Sequence, residues 1–163
     1  MKSLLIVWHS RTGGSAAMAA EAHAGAAEEA GVEVRILPAD QATAGDLLDA
    51  DAFLFACPEN LAALSGEMKA FFDRCYYPVL GRIEGRPYAL MISAGSDGEN
   101  AVRQIRRIAT GWRLKAVAEP IIVCTHAQTP EAILAPKTVG QADLDRCREL
   151  GATLAAGLAL GVF

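Results

Sequence analysis

The stretch that decides the fold reads Leu4-Leu5-Ile6-Val7-Trp8-His9-Ser10-Arg11-Thr12-Gly13-Gly14-Ser15. Its first five residues form an apolar run of strand length, and the rest is mostly small or polar. An alanine-rich segment of strong helix formers continues from Ser15 to Ala30, and Gly31 is the predicted stop. A buried strand, a tight loop and a helix in this order predict the first half of a βαβ unit.

Four more apolar runs of strand length follow, and residues of helical character separate them. They are 32–37, 52–57, 88–92 and 121–124. The run 32–37 alternates with Glu33 and Arg35, which predicts an edge strand. The other runs are apolar on both faces, as is typical of central strands. The alternation predicts an α/β fold with a parallel sheet covered by helices on both faces.

Apolar residues at helical spacing predict three later helices. These cover 66–77, 99–112 and a C-terminal segment from about Asp143 almost to the end. Ser65 and Asp97 are the predicted N-caps of the first two. A short helix at 46–50 is also predicted, although it has little apolar face. Because no linker or repeat interrupts the pattern, we expect residues 1–163 to form one domain.

Composition excludes several classes of protein. With 163 residues, 52% of them hydrophobic and only 7 prolines, the chain is not disordered. A formal net charge of −4 gives no electrostatic basis for binding nucleic acid. The four cysteines include no CxxC pair, so neither a zinc site nor a disulfide framework is predicted. No apolar stretch is long enough to span a membrane and no signal peptide is visible, so we expect a cytoplasmic protein.

The loop after the first strand has the residues of a phosphate site. Ligands of open parallel sheets bind beyond the carboxyl ends of the strands. Ser10, Thr12 and Ser15 can donate hydroxyl hydrogen bonds, and Gly13 and Gly14 allow backbone amides to turn inward. The helix N-terminus that follows favours an anion. The pattern indicates a monophosphate cradle, and an ordinary capped turn remains the alternative.

Two further loops lie at the same edge of the predicted sheet. Residues 58–66 combine a rigid proline, a side-chain amide and apolar groups, and residues 93–98 are small and glycine-rich. Together they could hold a flat heterocycle by its edge and faces, although each alone is compatible with a surface turn. The chain lacks the GK[ST] and GxGxxG motifs of other phosphate-binding loops. It also has Cys57 where a receiver domain would have a phosphorylatable aspartate.

These three loops resemble those of the flavodoxin-like proteins, in particular the FMN reductase-type oxidoreductases. The most specific match is Pro58-Glu59-Asn60-Leu61, which leads into a helix that reads Ser65-Gly66-Glu67-Met68-Lys69-Ala70-Phe71-Phe72-Asp73-Arg74. The resemblance covers essentially the whole chain. It implies a three-layer sandwich with a five-stranded parallel sheet in the order 2-1-3-4-5, which agrees with an edge position for the second strand.

The resemblance also implies non-covalent FMN and assigns its contacts. The phosphate would bind to Ser10, Arg11, Thr12, Gly13, Gly14 and Ser15. The isoalloxazine would lie between Pro58, Glu59, Asn60 and Leu61 on one side and Ser93, Ala94, Gly95, Ser96, Asp97 and Gly98 on the other. Electron-carrier flavodoxins place aromatic rings beside the flavin and are strongly acidic. This chain offers no ring at Ala62, Ala63, Leu64 or Ser96.

The leading hypothesis is therefore a reductase that passes hydride from NAD(P)H through FMN to a quinone, a free flavin or another small acceptor. The alternative is an electron-transfer or partner-binding module. No catalytic acid–base pair and no metal site are predicted. Arg103, Arg106 and Arg107 could attract the 2′-phosphate of NADPH, or they could form a solvated face. Tyr76-Tyr77-Pro78 is interpreted as local packing or a homodimer contact.

Overall fold

The computed structural model describes all residues from Met1 to Phe163. Seven strands and six helices form the chain. In order they are β1 Lys2–Trp8, α1 Gly14–Ala26, β2 Val32–Pro38, α2 Ala44–Asp49, β3 Ala52–Asn60, β4 Ala63–Leu64, α3 Gly66–Val79, β5 Pro87–Ala94, α4 Glu99–Gly111, β6 Lys115–Ala116, β7 Ile121–Cys124, α5 Pro130–Leu134 and α6 Gln141–Leu160.

The five predicted strands form one parallel sheet in the order β2-β1-β3-β5-β7, which confirms the predicted order. Strand β2 lies at an edge, as its alternating charges predict. The apolar character of the last run, which is typical of a central strand, was misleading: β7 pairs only with β5 and forms the opposite edge, in agreement with the order 2-1-3-4-5. Two very short strands were not predicted. Strand β6 extends the pairing along the first residues of β5, and β4 folds back antiparallel on β3.

Apolar side chains cover both faces of the sheet. Helices α2, α3 and α4 bury one face, where Phe53 and Phe55 stack with ring centroids 5.9 Å apart and Phe72 contacts Phe55 edge-on. Helices α1 and α6 bury the other. Burial of each such phenylalanine stabilises the fold by roughly 1.5–3 kcal/mol. The predicted three-layer architecture is therefore confirmed, with both layers anchored on β1, β3 and β5.

Tyr76 stacks on Trp112, with ring centroids 5.8 Å apart, and its carbonyl accepts a hydrogen bond from the indole N–H. Of the two interpretations of the Tyr76-Tyr77 pair, local packing therefore accounts for the Tyr76 ring. The side chain of Tyr77 is exposed. No helix of the structure has both the length and the hydropathy that a membrane span requires.

Several predicted boundaries shift. Helix α1 ends at Ala26 rather than at Ala30, because the amides of Glu28 and Glu29 turn back to carbonyls three residues earlier. The short helix α2 begins at Ala44, where Thr43 and Asp46 form a reciprocal capping box. Ser65 precedes α3 as predicted, but its hydroxyl makes no capping bond. Asp97 lies one residue before the N-cap of α4, which is Gly98 at φ +91°.

Candidate functional site

The carboxyl ends of β1, β3 and β5 meet at one edge of the sheet, and residues from all three predicted loops line a single cleft there. Its volume is about 70 Å³. The predicted residues on its wall are Thr12, Pro58, Glu59, Asn60, Ser93, Ala94 and Gly95. Parallel pairing of Pro58 with Ser93 sets the second and third loops side by side. The topology therefore brings together seven of the sixteen residues that the sequence assigned to cofactor binding.

The loop after β1 forms a tight turn into α1. The Gly13 amide donates to Ser10 Oγ at 3.0 Å, and Gly13 has a φ of +102°, which favours glycine. Gly14 packs closely on the third loop, since a Cβ at this position would lie 2.7 Å from Ser93 Oγ. The Ser10 hydroxyl and the contact with Ser93 thus hold this loop in one conformation. Arg11 extends outward and is exposed.

Ser15, in the first turn of α1, is buried, and its Oγ has no hydrogen-bond partner. An unsatisfied buried hydroxyl costs roughly 1–3 kcal/mol. Helix N-termini bind anions because their first amides lack partners and the helix dipole is positive there. An oxyanion seated above this turn would satisfy the hydroxyl. The residues present therefore fit a phosphate group.

The second loop is a β-hairpin with a two-residue turn. Asn60 pairs with Ala63, and Leu61 and Ala62 between them have φ values of +50° and +62°. Two successive positive φ values define a type I′ turn, which Asn and Gly adopt more readily than Leu and Ala. Strain of this kind persists where surrounding contacts impose it, and it is concentrated at functional sites. The Leu61 side chain is fully exposed at the tip.

Helix α4 holds the hairpin in place. The Asn100 amide donates to the carbonyl oxygen of Ala62, and the Leu64 amide donates to Gln104 Oε1 at 2.9 Å. The carboxylate of Glu59 accepts from the amides of Gly98 and Ala101 at 2.9 and 3.0 Å. The Glu59 side chain is therefore a cap for α4. A cofactor could therefore contact the backbone of Glu59 and the neighbouring Asn60. The Glu59 carboxylate is not free for it, because it is already hydrogen bonded to α4.

The third loop divides between two environments. Ser93, Ala94 and Gly95 line the 70 Å³ cleft, whereas Ser96 and Asp97 are exposed beyond it. Gly98 is buried, and a Cβ there would meet Ile122 Cγ2 at 2.7 Å. The last part of the predicted 93–98 segment thus serves the start of α4 and lies outside the cleft.

Residues 125–140, which we term the strap, cover this cleft and were not predicted. The strap begins by hydrogen bonding to the third loop, since the Thr125 and His126 amides donate to the carbonyls of Ala94 and Gly95. It ends on the first loop, where the Lys137 amide donates to the Thr12 carbonyl at 2.8 Å. The strap has too few apolar residues to show a helical or strand periodicity. Thr129 followed by Pro130, a helix-start pattern, was the available clue to α5.

Lys137 also stabilises the strap internally. Its Nζ donates to the carbonyls of Ala132, Ile133 and Ala135 at 2.8, 2.8 and 2.6 Å. Small-molecule pockets are commonly 300–1,000 Å³, so a 70 Å³ cleft is too small for a flat tricyclic ligand. The ring of such a ligand would therefore extend beyond this cleft.

A second cleft of about 510 Å³ opens on the other side of Asn60. Its walls are His9, Arg11, Asn60, Leu61, Leu64, Gly66 and Glu67. His9 contacts two residues at the start of α3. Its Nδ1 lies 2.8 Å from Ser65 Oγ, and its Nε2 lies 3.5 Å from a Glu67 carboxylate oxygen. No local pattern pairs His9 with Ser65, which lies 56 residues away along the chain.

Three of the four cysteines are buried and all are free. Burial raises the pKa of Cys57 to about 11, although hydrogen bonds with Ser65 oppose the shift. Its thiol is therefore protonated at neutral pH and is a poor nucleophile. No three histidine, cysteine or acidic side chains lie close enough to hold a metal ion.

A doubly wound sheet with three such loops at one carboxyl edge defines a flavodoxin-like protein. Solved structures agree on the fold. A flavodoxin from the domain Archaea superimposes with a TM-score of 0.77 at 19% identity, covering 96% of this chain and 98% of that one. The flavodiiron protein from Giardia intestinalis gives a TM-score of 0.78 at 18% identity, covering 99% of this chain and 37% of that one.

Within this class, the family model for NADPH-dependent FMN reductases matches residues 38–129. The chain belongs to that family. It is also similar to a flavodoxin of Aquifex aeolicus (strain VF5), with 29% identity over 99% of this chain and 90% of the relative.

Proposed function

We propose that the protein is an FMN-binding oxidoreductase that uses NAD(P)H to reduce a quinone, a free flavin or another small acceptor. The observation that carries the proposal is the buried, unpartnered Ser15 hydroxyl at the N-terminus of α1. The family to which the chain belongs and its similarity to flavodoxins support FMN as the phosphate-bearing ligand.

In this proposal Ser10, Arg11, Thr12, Gly13, Gly14 and Ser15 hold the phosphate. Ser15 donates a hydrogen bond, the first amides of α1 point toward the anion, and Arg11 adds a positive charge from the open side. When bound, FMN supplies two-electron redox chemistry between a hydride donor and an acceptor. The chain binds, orients and shields it.

The ring would lie between Pro58 to Leu61 and Ser93 to Gly95. Neither loop has an aromatic side chain that could cover a flavin face. This open face favours a stacking nicotinamide or quinone as the second ligand. It is less suited to stabilising a one-electron state by aromatic stacking on both faces.

A preference for NADPH is supported by a groove along α4. It has a volume of about 570 Å³, and Arg103, Arg106 and Arg107 line it together with Asn100. Asn100 also bonds to Ala62, so the groove begins at the hairpin of the proposed flavin site. Arginine binds phosphate well because its guanidinium forms paired hydrogen bonds. The groove could therefore take the adenosine phosphate of a dinucleotide.

The second candidate is an electron-transfer module without its own substrate turnover. The exposed Leu61 at the hairpin tip favours it, because an apolar tip beside a redox centre can contact a partner protein. The similarity of the chain to a flavodoxin of Aquifex aeolicus also supports this alternative.

Purification without added cofactor tests the cofactor assignment. We expect a yellow protein that releases FMN on denaturation, as identified by chromatography. A colourless protein that also fails to bind added FMN would overturn it. Steady-state oxidation of NADPH and NADH with a water-soluble benzoquinone then separates the two functions. Turnover supports the reductase, and FMN binding without turnover supports the module.

A further inference from the structure

The contacts of His9 have no role in the proposed cofactor site. Its side chain is 19% exposed and lies between the buried Ser65 and the largely exposed Glu67. One edge of the imidazole is thus fixed against the protein interior, while the other faces a carboxylate and solvent. Such an arrangement holds a proton at a defined atom.

The two partners also select the proton's position. An ionised Glu67 only accepts hydrogen bonds, so Nε2 must carry a proton for a favourable interaction at 3.5 Å. In the neutral ring Nδ1 is then the acceptor, and it takes the Ser65 hydroxyl hydrogen at 2.8 Å. The contacts therefore favour an imidazole whose Nε2–H points toward Glu67 and the opening of the 510 Å³ cleft.

This cleft has the size and position of an acceptor site. A volume of about 510 Å³ lies in the common range for small-molecule pockets. Asn60 lines both this cleft and the 70 Å³ cleft of the proposed flavin site, so the two adjoin. Leu61 and Leu64 offer apolar surface, and His9 offers a hydrogen-bond donor. A planar ligand with carbonyl oxygens matches this combination.

We propose that His9 is the general acid for reduction of a quinone bound in this cleft. The inference rests on the proposed function, which supplies the reductant NAD(P)H. NAD(P)H is the source of the two electrons and one proton that the quinone takes up as a hydride equivalent, a transfer that bound FMN would mediate. The quinone receives its second proton from Nε2 of a protonated His9, which gives the hydroquinone and a neutral imidazole whose remaining N–H, on Nδ1, donates a hydrogen bond to Ser65 Oγ. Solvent then returns a proton to His9 Nε2, which lies 3.5 Å from the Glu67 carboxylate.

The test compares two acceptors in the full-length, FMN-loaded protein. Reduction of ferricyanide consumes electrons but no proton, whereas reduction of a water-soluble benzoquinone consumes protons. The readout is the ratio of the two kcat values, in which losses of FMN or of NAD(P)H binding cancel. General acids contribute about 100-fold or more. We therefore expect His9→Gln to lower the quinone-to-ferricyanide ratio by about that factor.

Two further variants complete the experiment. Glu67→Gln alters an exposed side chain, so this variant remains informative if His9→Gln fails to fold. We expect it to lower the quinone-to-ferricyanide ratio roughly two- to fivefold, which corresponds to the strength of an exposed ion pair. His23→Gln, on the half-buried face of α1, is the matched control and should leave the ratio unchanged. Nitrogen NMR of the imidazole, which needs no turnover, should find the proton of neutral His9 on Nε2.

The outcomes separate the two proposals. Turnover of both acceptors with the same ratio in the wild type, His9→Gln and Glu67→Gln overturns the acid role alone. A resting neutral His9 that carries its proton on Nδ1 in the NMR spectrum also overturns it, because Nε2 would then present a lone pair to the Glu67 carboxylate. A wild-type protein that binds FMN but reduces neither acceptor overturns the proposed reductase function, and the acid role with it.

Discussion

The carboxylate of Glu59 accepts a hydrogen bond from the Gly98 amide at 2.9 Å, which joins the end of β3 to the start of α4. Its second oxygen accepts from Ala101 in the first turn of that helix. A negative charge at this position also interacts favourably with the helix dipole. One side chain thus fixes the distance between the second and third loops of the candidate site.

Replacement of Glu59 by alanine should therefore lower stability. Loss of the cap leaves two amides without a protein partner, and we expect a decrease of about 1–2 kcal/mol in the free energy of unfolding. Urea denaturation of the cofactor-free protein measures it. Glu99→Ala, an exposed acid in the first turn of the same helix, is the control and should change stability by less than about 0.5 kcal/mol. Equal losses in both variants would contradict a specific cap.

Ser15→Ala should separate stability from cofactor affinity. Because the Ser15 hydroxyl is buried without a partner, its removal should leave the cofactor-free protein equally stable or slightly more stable. The same change removes a hydrogen bond to a charged phosphate, worth about 1.5–3 kcal/mol, so FMN should bind roughly 10- to 100-fold more weakly. Quenching of flavin fluorescence measures the Kd. Unchanged FMN affinity would exclude Ser15 from the phosphate site, and Ser3→Ala at the opposite end of β1 is the control.

Gly14 and Ser93 should be energetically coupled. A Cβ at position 14 would lie 2.7 Å from Ser93 Oγ, but 3.5 Å from Ser93 Cβ, which is ordinary contact. Gly14→Ala should therefore destabilise the protein in the presence of Ser93, and Ser93→Ala should relieve the loss. A double-mutant cycle by urea denaturation should give a coupling of about 1 kcal/mol. Additive single effects would show that the clash is relieved in another way.

Lys137→Met should loosen the strap. The substitution removes three hydrogen bonds from Nζ to strap carbonyls, while it keeps most of the side-chain volume. We expect chymotrypsin to cleave the strap at the exposed Leu134 several-fold faster. Cleavage after Leu80, which is exposed just beyond the end of α3, serves as an internal control in the same digest. A parallel rise at both positions would indicate general unfolding instead.

Arg106→Glu tests the assignment of the α4 groove. The guanidinium of Arg106 is 3.8 Å from the exposed Glu119, so this loose pair holds it only weakly. Reversal of the charge should raise the KM for NADPH much more than that for NADH, because only NADPH carries the 2′-phosphate. Arg113→Glu, which reverses a charge beyond the C-terminus of α4, is the control. Equal effects on both nucleotides would remove the groove from the NADPH site.

The sequence determined the fold class because its signals are local. Buried strands are short apolar runs, helices repeat at 3.6 residues, and a right-handed crossover between parallel strands leaves few topologies. The five runs and the edge position of β2 follow from such patterns, whereas the strand order 2-1-3-4-5 was implied by the resemblance to flavodoxin-like proteins. The edge position of β7 follows from that order and not from its own residues, because a strand with helices over both faces is apolar whether or not it has a second neighbour.

The candidate site also divides into features that local sequence patterns predict and features that they do not. Ser10 to Ser15 were predicted to form a cradle because glycines and hydroxyls before a helix imply one, and Pro58 to Asn60 and Ser93 to Gly95 meet because parallel strands end together. Only the tertiary structure decided that the Glu59 carboxylate caps α4, that the strap covers the cleft, and that His9 lies against Ser65 and Glu67. Each rests on contacts between residues far apart in the chain: side chain to backbone for Glu59, backbone to backbone for the strap, and side chain to side chain for His9. Periodicity and turn chemistry carry no information on such contacts, because packing of the finished layers sets them.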